Sequence, residues 1–182
     1  IIGRLKAGFV ADMIITTGGA SVGAPDLVPE AIGKIEKRGV IVHGIAMRPA
    51  MPTALATARG KPIIVLSGNP VAAMIGFEVF ARPLICKMLG MKKEEPRPSL
   101  NARLTRKVTT ALGRKTFVRV HVFRKGGEFY AEPVSTKGSG TISTMTQANG
   151  YAIVPENREG LAEGEPVSVR LFDIAETIDS NV

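Results

Sequence analysis

Two glycines and two hydroxyl-bearing residues follow a short apolar stretch near the start of the sequence, in DMIITTGGASVGAPDLVPEAI, residues 12–32. Glycine lacks a β-carbon, so the backbone of Gly18 and Gly19 can turn tightly and bring N–H groups close to an anion. The hydroxyl groups of Thr17 and Ser21 could add hydrogen-bond donors. This combination predicts a phosphate-binding loop, although the same glycines would also serve a tight turn that binds nothing.

A second candidate loop is LSGNP, residues 66–70. Ser67, Gly68 and Asn69 can present backbone and side-chain donors, and Pro70 suits the first turn of a helix. Between the two loops lies MRPAMP, residues 47–52, where Arg48 is the fixed positive charge available to bind an oxyanion through two hydrogen bonds. An ordinary surface arginine remains the alternative interpretation of Arg48.

An acidic residue, Asp26, ends the loop that contains the two glycines. A capping role at the start of the next helix would be sufficient to explain an aspartate at this position. A carboxylate beside a bound anion would otherwise be repulsive, unless it holds a divalent cation such as Mg²⁺ that bridges to phosphate oxygens. Asp26 is therefore a candidate magnesium ligand as well as a candidate cap.

Alternating strands and helices position these loops in the first half of the chain. We expect strands over residues 12–17, 40–45 and 61–67, each buried on both faces, and helices over 26–38 and 71–89, the second bent or broken near Pro83. Such alternation predicts parallel strands joined by crossovers. Because ligands bind beyond the carboxyl ends of such strands, the three loops should meet at one edge of the sheet.

The second half of the chain has a different periodicity, and the change falls near residue 95, where charges and two prolines interrupt every pattern. Apolar residues then alternate with polar ones in short segments separated by turn residues. We expect strands in KTFVRVHVFR, FYAEPV, TISTMT, YAIV and PVSVRLF. The predicted fold class is thus α/β, a partial three-layer parallel-sheet domain over residues 1–94, followed by a small all-β barrel or sandwich over 95–182.

Composition limits the remaining possibilities. The 182 residues contain one cysteine, Cys86, which excludes an internal disulfide framework. No apolar run is long enough to span a membrane and no signal peptide is recognisable, so we expect a cytoplasmic protein. The net charge of +8 favours anionic partners. The basic residues of the second half, Arg119 among them, are scattered and aromatic residues are few, which favours a solvated basic face over nucleic-acid binding.

Together, the segments DMIITTGGASVGAPDLV, HGIAMRPAMP, LSGNPVAAMIGFEVFARPL and KGSGTISTMTQANGYAIVPENREGLAEGE resemble the molybdopterin molybdenumtransferase family, known as MoeA in bacteria and as the E domain of gephyrin. The resemblance covers nearly the whole chain. It implies the carboxyl-terminal part of the molybdopterin-binding α/β domain followed by the family's small β domain. It also implies a homodimer that inserts molybdate into adenylylated molybdopterin and releases AMP in a Mg²⁺-dependent step.

The resemblance also implies roles for individual residues. Gly18, Gly19 and Ser21 match the substrate-binding loop, and Asp26 matches an aspartate tied to catalysis and to Mg²⁺. Arg48 stands where the family has a basic residue suited to the pterin phosphate or molybdate. The segment 67–70 matches a loop that lines the same cleft. Phosphoanhydride cleavage at such a site would depend on positioning and charge neutralisation, without a covalent nucleophile.

The sequence also departs from the family pattern. The family has an acid at Ala24, a glycine and a lysine at Ala50 and Met51, and a proline at Ser67. The chain begins partway through the α/β domain with Ile1, which suggests a fragment of a longer protein. A second hypothesis is therefore a catalytically weakened module that binds molybdopterin or nucleotide. A third is a scaffold or nucleic-acid-binding piece that acts through its basic charge.

Overall fold

The computed structural model describes residues 1–19, 27–92, 97–134 and 143–172. The chain forms two compact units, Ile1–Glu94 and Glu95–Val182. Each unit has its own sheet and its own buried core, and each is described by itself below.

A four-stranded sheet forms the centre of the first unit. In chain order its strands are β1 (Ile14–Thr17), β2 (Val40–His43), β4 (Ala54–Ala58) and β5 (Lys61–Leu66), and a short strand β3 (Met47–Arg48) lies between β2 and β4 in the chain. The spatial order is β1-β5-β4-β2. Strand β1 is parallel to β5, whereas β4 is antiparallel to both of its neighbours. Strands β1, β5 and β2 therefore run in the same direction.

Helices cover both faces of this sheet. Helix α1 (Ile2–Gly8) and helix α2 (Leu27–Ile35) pack on one face, where Leu5 and Ile32 share a buried cluster with Ile63 and Val65 of β5. The alternate residues of β5 contact the helical segment on the other face in a second cluster, which contains Ile64, Leu66 and Ala81. The result is a three-layer α/β arrangement, which confirms the predicted fold class.

The second helical segment is continuous but irregular. It consists of α3 (Pro70–Gly76), a π-helical turn over Phe77–Ala81, and α4 (Arg82–Met88). The amide of Arg82 donates to the carbonyl oxygen of Phe77, five residues earlier, immediately before Pro83, which has no N–H to donate. The predicted interruption near Pro83 is thus a π-turn. Among the described helices, none is long and apolar enough to cross a membrane.

Two expectations for this sheet are wrong. The segments at 12–17 and 40–45 were expected to be buried on both faces, but β1 and β2 are the two edge strands of the sheet, and their Ile15 and Ile41 are 36% and 68% exposed. The sheet was also expected to be purely parallel, but β4 forms an antiparallel hairpin with β5. The β4 segment, ALATA, is mostly alanine and gives no long apolar run, so its burial pattern was not recognisable from periodicity.

The second unit is a closed five-stranded barrel. Its strands are β6 (Ser99–Leu104), β8 (Lys115–Lys125), β9 (Glu128–Pro133), β10 (Gly150–Val154) and β12 (Pro166–Leu171), with a separate ribbon of β7 (Val108–Thr109) and β11 (Gly160–Leu161). The order β10-β12-β6-β9-β8 closes because β8 also pairs with β10. A barrel leaves no open edge among these strands.

The barrel core confirms the all-β prediction. It is filled mostly by Val, Leu and Ala, with Val118, Val120 and Val122 of β8 at its centre. Strands expected in KTFVRVHVFR, FYAEPV, YAIV and PVSVRLF are present. The strand expected in TISTMT is wrong over its described part, because Ser143–Thr146 forms a helical turn, α5, in which the Thr146 hydroxyl donates to the Ser143 carbonyl oxygen at 2.9 Å.

Candidate functional site

The two predicted loops meet at the carboxyl edge of β1 and β5. The parallel register places Thr17 opposite Leu66, and the amide of Gly18 donates to the Leu66 carbonyl oxygen at 2.9 Å. One step further on, the turns are in backbone contact, because a β-carbon built on Gly68 would lie 3.4 Å from the Cα of Gly18. Residues 18–19 and 67–70, called here the first and second turns, therefore lie side by side.

The first turn has a backbone that favours glycine. Gly18 and Gly19 have φ angles of 83° and 73°, in the left-handed region that costs an L-residue about 1–2 kcal/mol. Gly19 also packs closely against helix α2, since a β-carbon on it would lie 2.8 Å from Cγ2 of Val28. The Val28 amide donates to the Gly19 carbonyl oxygen at 3.4 Å. The first turn is thus held between α2 and the second turn.

The second turn uses several of its own polar groups in internal hydrogen bonds. The Asn69 amide donates to the Ser67 hydroxyl oxygen at 3.2 Å, and Oδ1 of Asn69 accepts from the Ala72 amide at 3.2 Å. Asn69 is therefore the N-cap of α3, and Pro70 is the first helical residue, as expected. The backbone amide and Oδ1 of Asn69, predicted as part of a ligand site, stabilise the turn instead.

Besides the Nδ2 of Asn69, which makes no hydrogen bond within the described residues, four donors remain available at this edge. The Gly18 amide is occupied by Leu66, so it cannot bind the anion for which the sequence proposed it. The amides of Gly19 and Gly68 make no hydrogen bond within the described residues. The hydroxyls of Thr17 and Ser67 can also donate, because the Ser67 oxygen acts only as an acceptor toward Asn69. All four are neutral, and together they suit an oxyanion such as a phosphate.

The third loop, which carries Arg48, is further away than expected. It follows β2, whose carboxyl end lies at the same edge of the sheet, and the Arg48 side chain is exposed. However, β2 is an edge strand, separated from β5 by β4. With neighbouring strands about 4.8 Å apart, the start of this loop is about 14 Å from β1. A ligand would need the length of a nucleotide or a pterin to contact both.

The same loop packs against helix α3. Ala50 is buried with a φ of 80°, and its carbonyl oxygen accepts from the Thr53 hydroxyl at 2.8 Å. A β-carbon on Gly76 of α3 would lie 3.3 Å from the Thr53 Oγ1 and 3.6 Å from the Ala50 Cβ. The Arg48 loop is therefore packed against α3, the helix that starts at the second turn.

The predicted magnesium site cannot be built from this edge alone. Residues 17–19 and 67–70 include no carboxylate, and oxygen ligands with negative charge are what Mg²⁺ prefers. Asp26, Ser21 and Ala24 lie outside the described residues. Within the described residues, no group of three or more His, Cys, Asp and Glu side chains is placed to hold a metal.

One candidate residue was missed by the sequence reasoning. Arg119 of β8 was expected on a solvated basic face, but it is 3% exposed. Burial lowers the pKa of its guanidinium, and its Nε has no hydrogen-bond partner among the residues that the structure describes. A guanidinium remains charged even so, and a buried cation with a free donor is suited to an anion. The signal in the sequence was its position between Val118 and Val120, in a run without other charges.

Comparison with known proteins identifies two family domains. Residues 2–87 match a model described as the probable molybdopterin binding domain, and residues 101–172 match the MoeA C-terminal region, domain IV. The first turn, the second turn and the Arg48 loop all fall within the former match, and Arg119 falls within the latter.

Individual relatives agree with these matches. The chain is 36% identical to molybdopterin molybdenumtransferase 2 of Mycobacterium tuberculosis over 87% of its length, and 35% identical to the molybdopterin molybdenumtransferase of Bacillus subtilis over 88%. It spans 40% and 37% of those two proteins.

A solved structure is similar as well. The molybdopterin biosynthesis MoeA protein of Pyrococcus horikoshii has a TM-score of 0.75 and 35% identity, covering 94% of this chain and 40% of that one. With both family domains matched in order and the same folds observed, the chain belongs to the MoeA family of molybdopterin molybdenumtransferases.

Proposed function

We propose that this chain forms the substrate-binding α/β unit and the terminal barrel of an enzyme of molybdenum cofactor biosynthesis. The reaction would insert molybdate into adenylylated molybdopterin and release AMP. The observation that carries the proposal is the contact between the first and second turns, which brings four neutral donors to one sheet edge. Relatives named molybdopterin molybdenumtransferase support the choice of substrate.

In this proposal the turns bind and orient the phosphate of the substrate. The amides of Gly19 and Gly68 and the hydroxyls of Thr17 and Ser67 would donate to phosphate oxygens. Fixed neutral donors stabilise charge that develops during cleavage of the phosphate link without reorganising. Arg48 would bind a second anionic group of the same substrate, at a distance set by β4 and β5. Asp26 is proposed, on the family resemblance alone, as the residue that holds Mg²⁺.

The proposal is tested by incubating the purified protein with adenylylated molybdopterin, Mg²⁺ and molybdate and measuring AMP by chromatography. The Bacillus subtilis relative serves as positive control. AMP release with molybdenum retained on the pterin supports insertion. If the protein neither binds the substrate nor releases AMP in an assay where the control is active, the proposal is ruled out.

A second candidate function is binding without turnover, and a specific observation favours it. Met51, where the family has a lysine, is 45% exposed and carries no charge. Ser67, where the family has a proline, uses its hydroxyl to hold the second turn. Substrate that binds tightly but releases no AMP would identify the protein as a molybdopterin-binding module. Replacing Met51 with lysine should then restore some turnover.

A further inference from the structure

Gly68 differs from Gly18 and Gly19, the two glycines opposite it, in what favours glycine at its position. Gly18 and Gly19 have positive φ angles, which favour glycine whatever surrounds them, whereas Gly68 does not. At Gly68 the constraint is the neighbouring turn: a β-carbon there would lie 3.4 Å from the Cα and 4.0 Å from the nitrogen of Gly18. A methyl group at position 68 would just touch the first turn, and any larger side chain would meet the Gly18 backbone.

We propose that Gly68 is a positioning residue: by carrying no side chain, it sets the spacing of the two turns and so the placement of the Gly19 amide relative to its own. This inference rests on the proposed function, because the amides matter only if a phosphate oxygen binds between them. The connection between Gly68 and the Gly19 amide is short. Gly18, which contacts Gly68, is joined by one peptide bond to Gly19, whose amide is the available donor.

A larger side chain at position 68 should displace the turns further and weaken anion binding more. A methyl group would sit at ordinary van der Waals distance from Gly18, so alanine should nearly fit. The two γ-carbons of valine would need space that the Gly18 backbone occupies, so one turn must move. Misplacing a binding group by about 1 Å can cost up to about 100-fold in function. The turns lie beyond the buried clusters on both sheet faces, so folding should be affected much less.

The test compares Gly68→Ala and Gly68→Val with Gly33→Ala and Gly33→Val. Gly33 lies in α2 with nothing within 4 Å of a β-carbon built on it, which makes it a matched control. Two quantities are measured in the full 182-residue chain: the ¹⁵N–¹H amide resonances of Gly18 and Gly19 without ligand, and the Kd for AMP with Mg²⁺ by calorimetry. The thermal midpoint of each variant reports folding.

We expect Gly68→Val to shift both amide resonances and weaken AMP binding at least tenfold, with Gly68→Ala about threefold weaker and both Gly33 variants unchanged. Unshifted resonances or wild-type affinity in Gly68→Val would overturn the proposal. If Gly68→Val fails to fold, the Gly68→Ala and Gly68→Ser variants are compared with the wild type instead. An affinity for AMP equal to that of the wild type in both variants would overturn the proposal. If the wild type binds no AMP, the proposed function fails, while the resonances still report on the spacing.

Discussion

The amide of Gly18 donates to the carbonyl oxygen of Leu66 at 2.9 Å, one residue beyond the last paired residues of β1 and β5. This bond extends the parallel ladder into the first turn. It fixes where the left-handed glycine backbone begins and removes the Gly18 amide from the set of possible anion donors. The first backbone amide of this turn that is available to an anion is therefore that of Gly19, and its position depends on the register of the sheet.

The two glycines of the first turn should tolerate alanine to different degrees. Each substitution must adopt a positive φ, at a cost of about 1–2 kcal/mol. At Gly18 the added methyl meets only the Cα of Gly68 at 3.9 Å, whereas at Gly19 it would lie 2.8 Å from Val28. We expect Gly19→Ala to be less stable than Gly18→Ala by at least about 1 kcal/mol, because overpacking adds to the backbone cost.

Urea unfolding of both variants measures this difference. The double variant Gly19→Ala with Val28→Ala provides the control, because removing the valine methyls makes room for the new β-carbon. The two substitutions should then be less destabilising together than the sum of their separate effects. Strict additivity, or equal stability of the two alanine variants, would contradict the close contact between Gly19 and α2.

Ala50 should respond to glycine substitution differently from other buried alanines. Replacing a buried alanine by glycine normally costs about 1 kcal/mol, through the lost methyl group and the freer unfolded chain. At Ala50, however, the φ of 80° means that glycine also relieves a backbone cost of about 1–2 kcal/mol. We expect Ala50→Gly to be close to neutral in urea unfolding.

Ala54→Gly is the matched control for this prediction. Ala54 is as deeply buried, at 0% exposure against 3% for Ala50, and lies in the extended backbone of β4. It should lose about 1 kcal/mol of unfolding free energy, so the two variants should differ by about that amount. Equal losses would show that Ala50 is not strained.

Much of the architecture could be predicted because local signals agreed with it. The apolar run at 61–67 predicted β5, and Ile63 to Leu66 are all at most 2% exposed. The stripe in 26–38 predicted α2, in which Val28, Ala31 and Ile32 are buried, although Leu27 is exposed. General topology then placed the first two loops at one edge, because the carboxyl ends of β1 and β5 must coincide in a parallel pair.

The features that were missed have different physical causes. All five residues of β4 pair with β5 through a hairpin that its alanines do not signal. Whether the Gly18 amide is free depends on register, which only the paired strands determine. Arg119 lies between two apolar residues of β8, but its burial depends on the folded unit around it. The roles of Arg48, Asp26 and the two turns remain predictions.

Replacing Arg119 by methionine should separate folding from anion binding. A buried charge without full hydrogen bonding costs desolvation free energy, and exchanging such groups for apolar ones of similar size is often neutral or stabilising by about 1–4 kcal/mol. We expect Arg119→Met to unfold at the same or a higher temperature than the wild type. We also expect sulfate, which should raise the thermal midpoint of the wild type by binding the guanidinium, to have less effect on the variant.

Thermal unfolding with and without sulfate checks both expectations. Arg124→Met, at a residue on the same strand but exposed, is the control for general loss of positive charge. A lower thermal midpoint for Arg119→Met would show that the guanidinium stabilises the barrel directly. An unchanged response to sulfate would show that Arg119 does not bind this anion.

The ion pair of Glu165 should make the barrel sensitive to acid. Its carboxylate binds the Arg158 guanidinium at 2.6 and 2.9 Å and accepts from the Ala162 amide at 2.9 Å. These contacts, the Arg158 hydrogen bond foremost, lower the pKa of Glu165 from 4.5 to about 2. Because the folded pKa is the lower one, this stabilisation is present above about pH 4.5 and is lost as the pH falls toward 2.

Glu165→Gln should therefore unfold at a lower temperature than the wild type near neutral pH, and the difference should shrink between pH 4.5 and 2. The effect should be small, since Arg158 is substantially exposed and exposed ion pairs are screened. Glu163→Gln, at an exposed neighbour that makes no ion pair within the described residues, is the control and should follow the wild type. A pH-independent difference for Glu165→Gln would mean that the glutamate acts through its shape and hydrogen bonds, not through its charge.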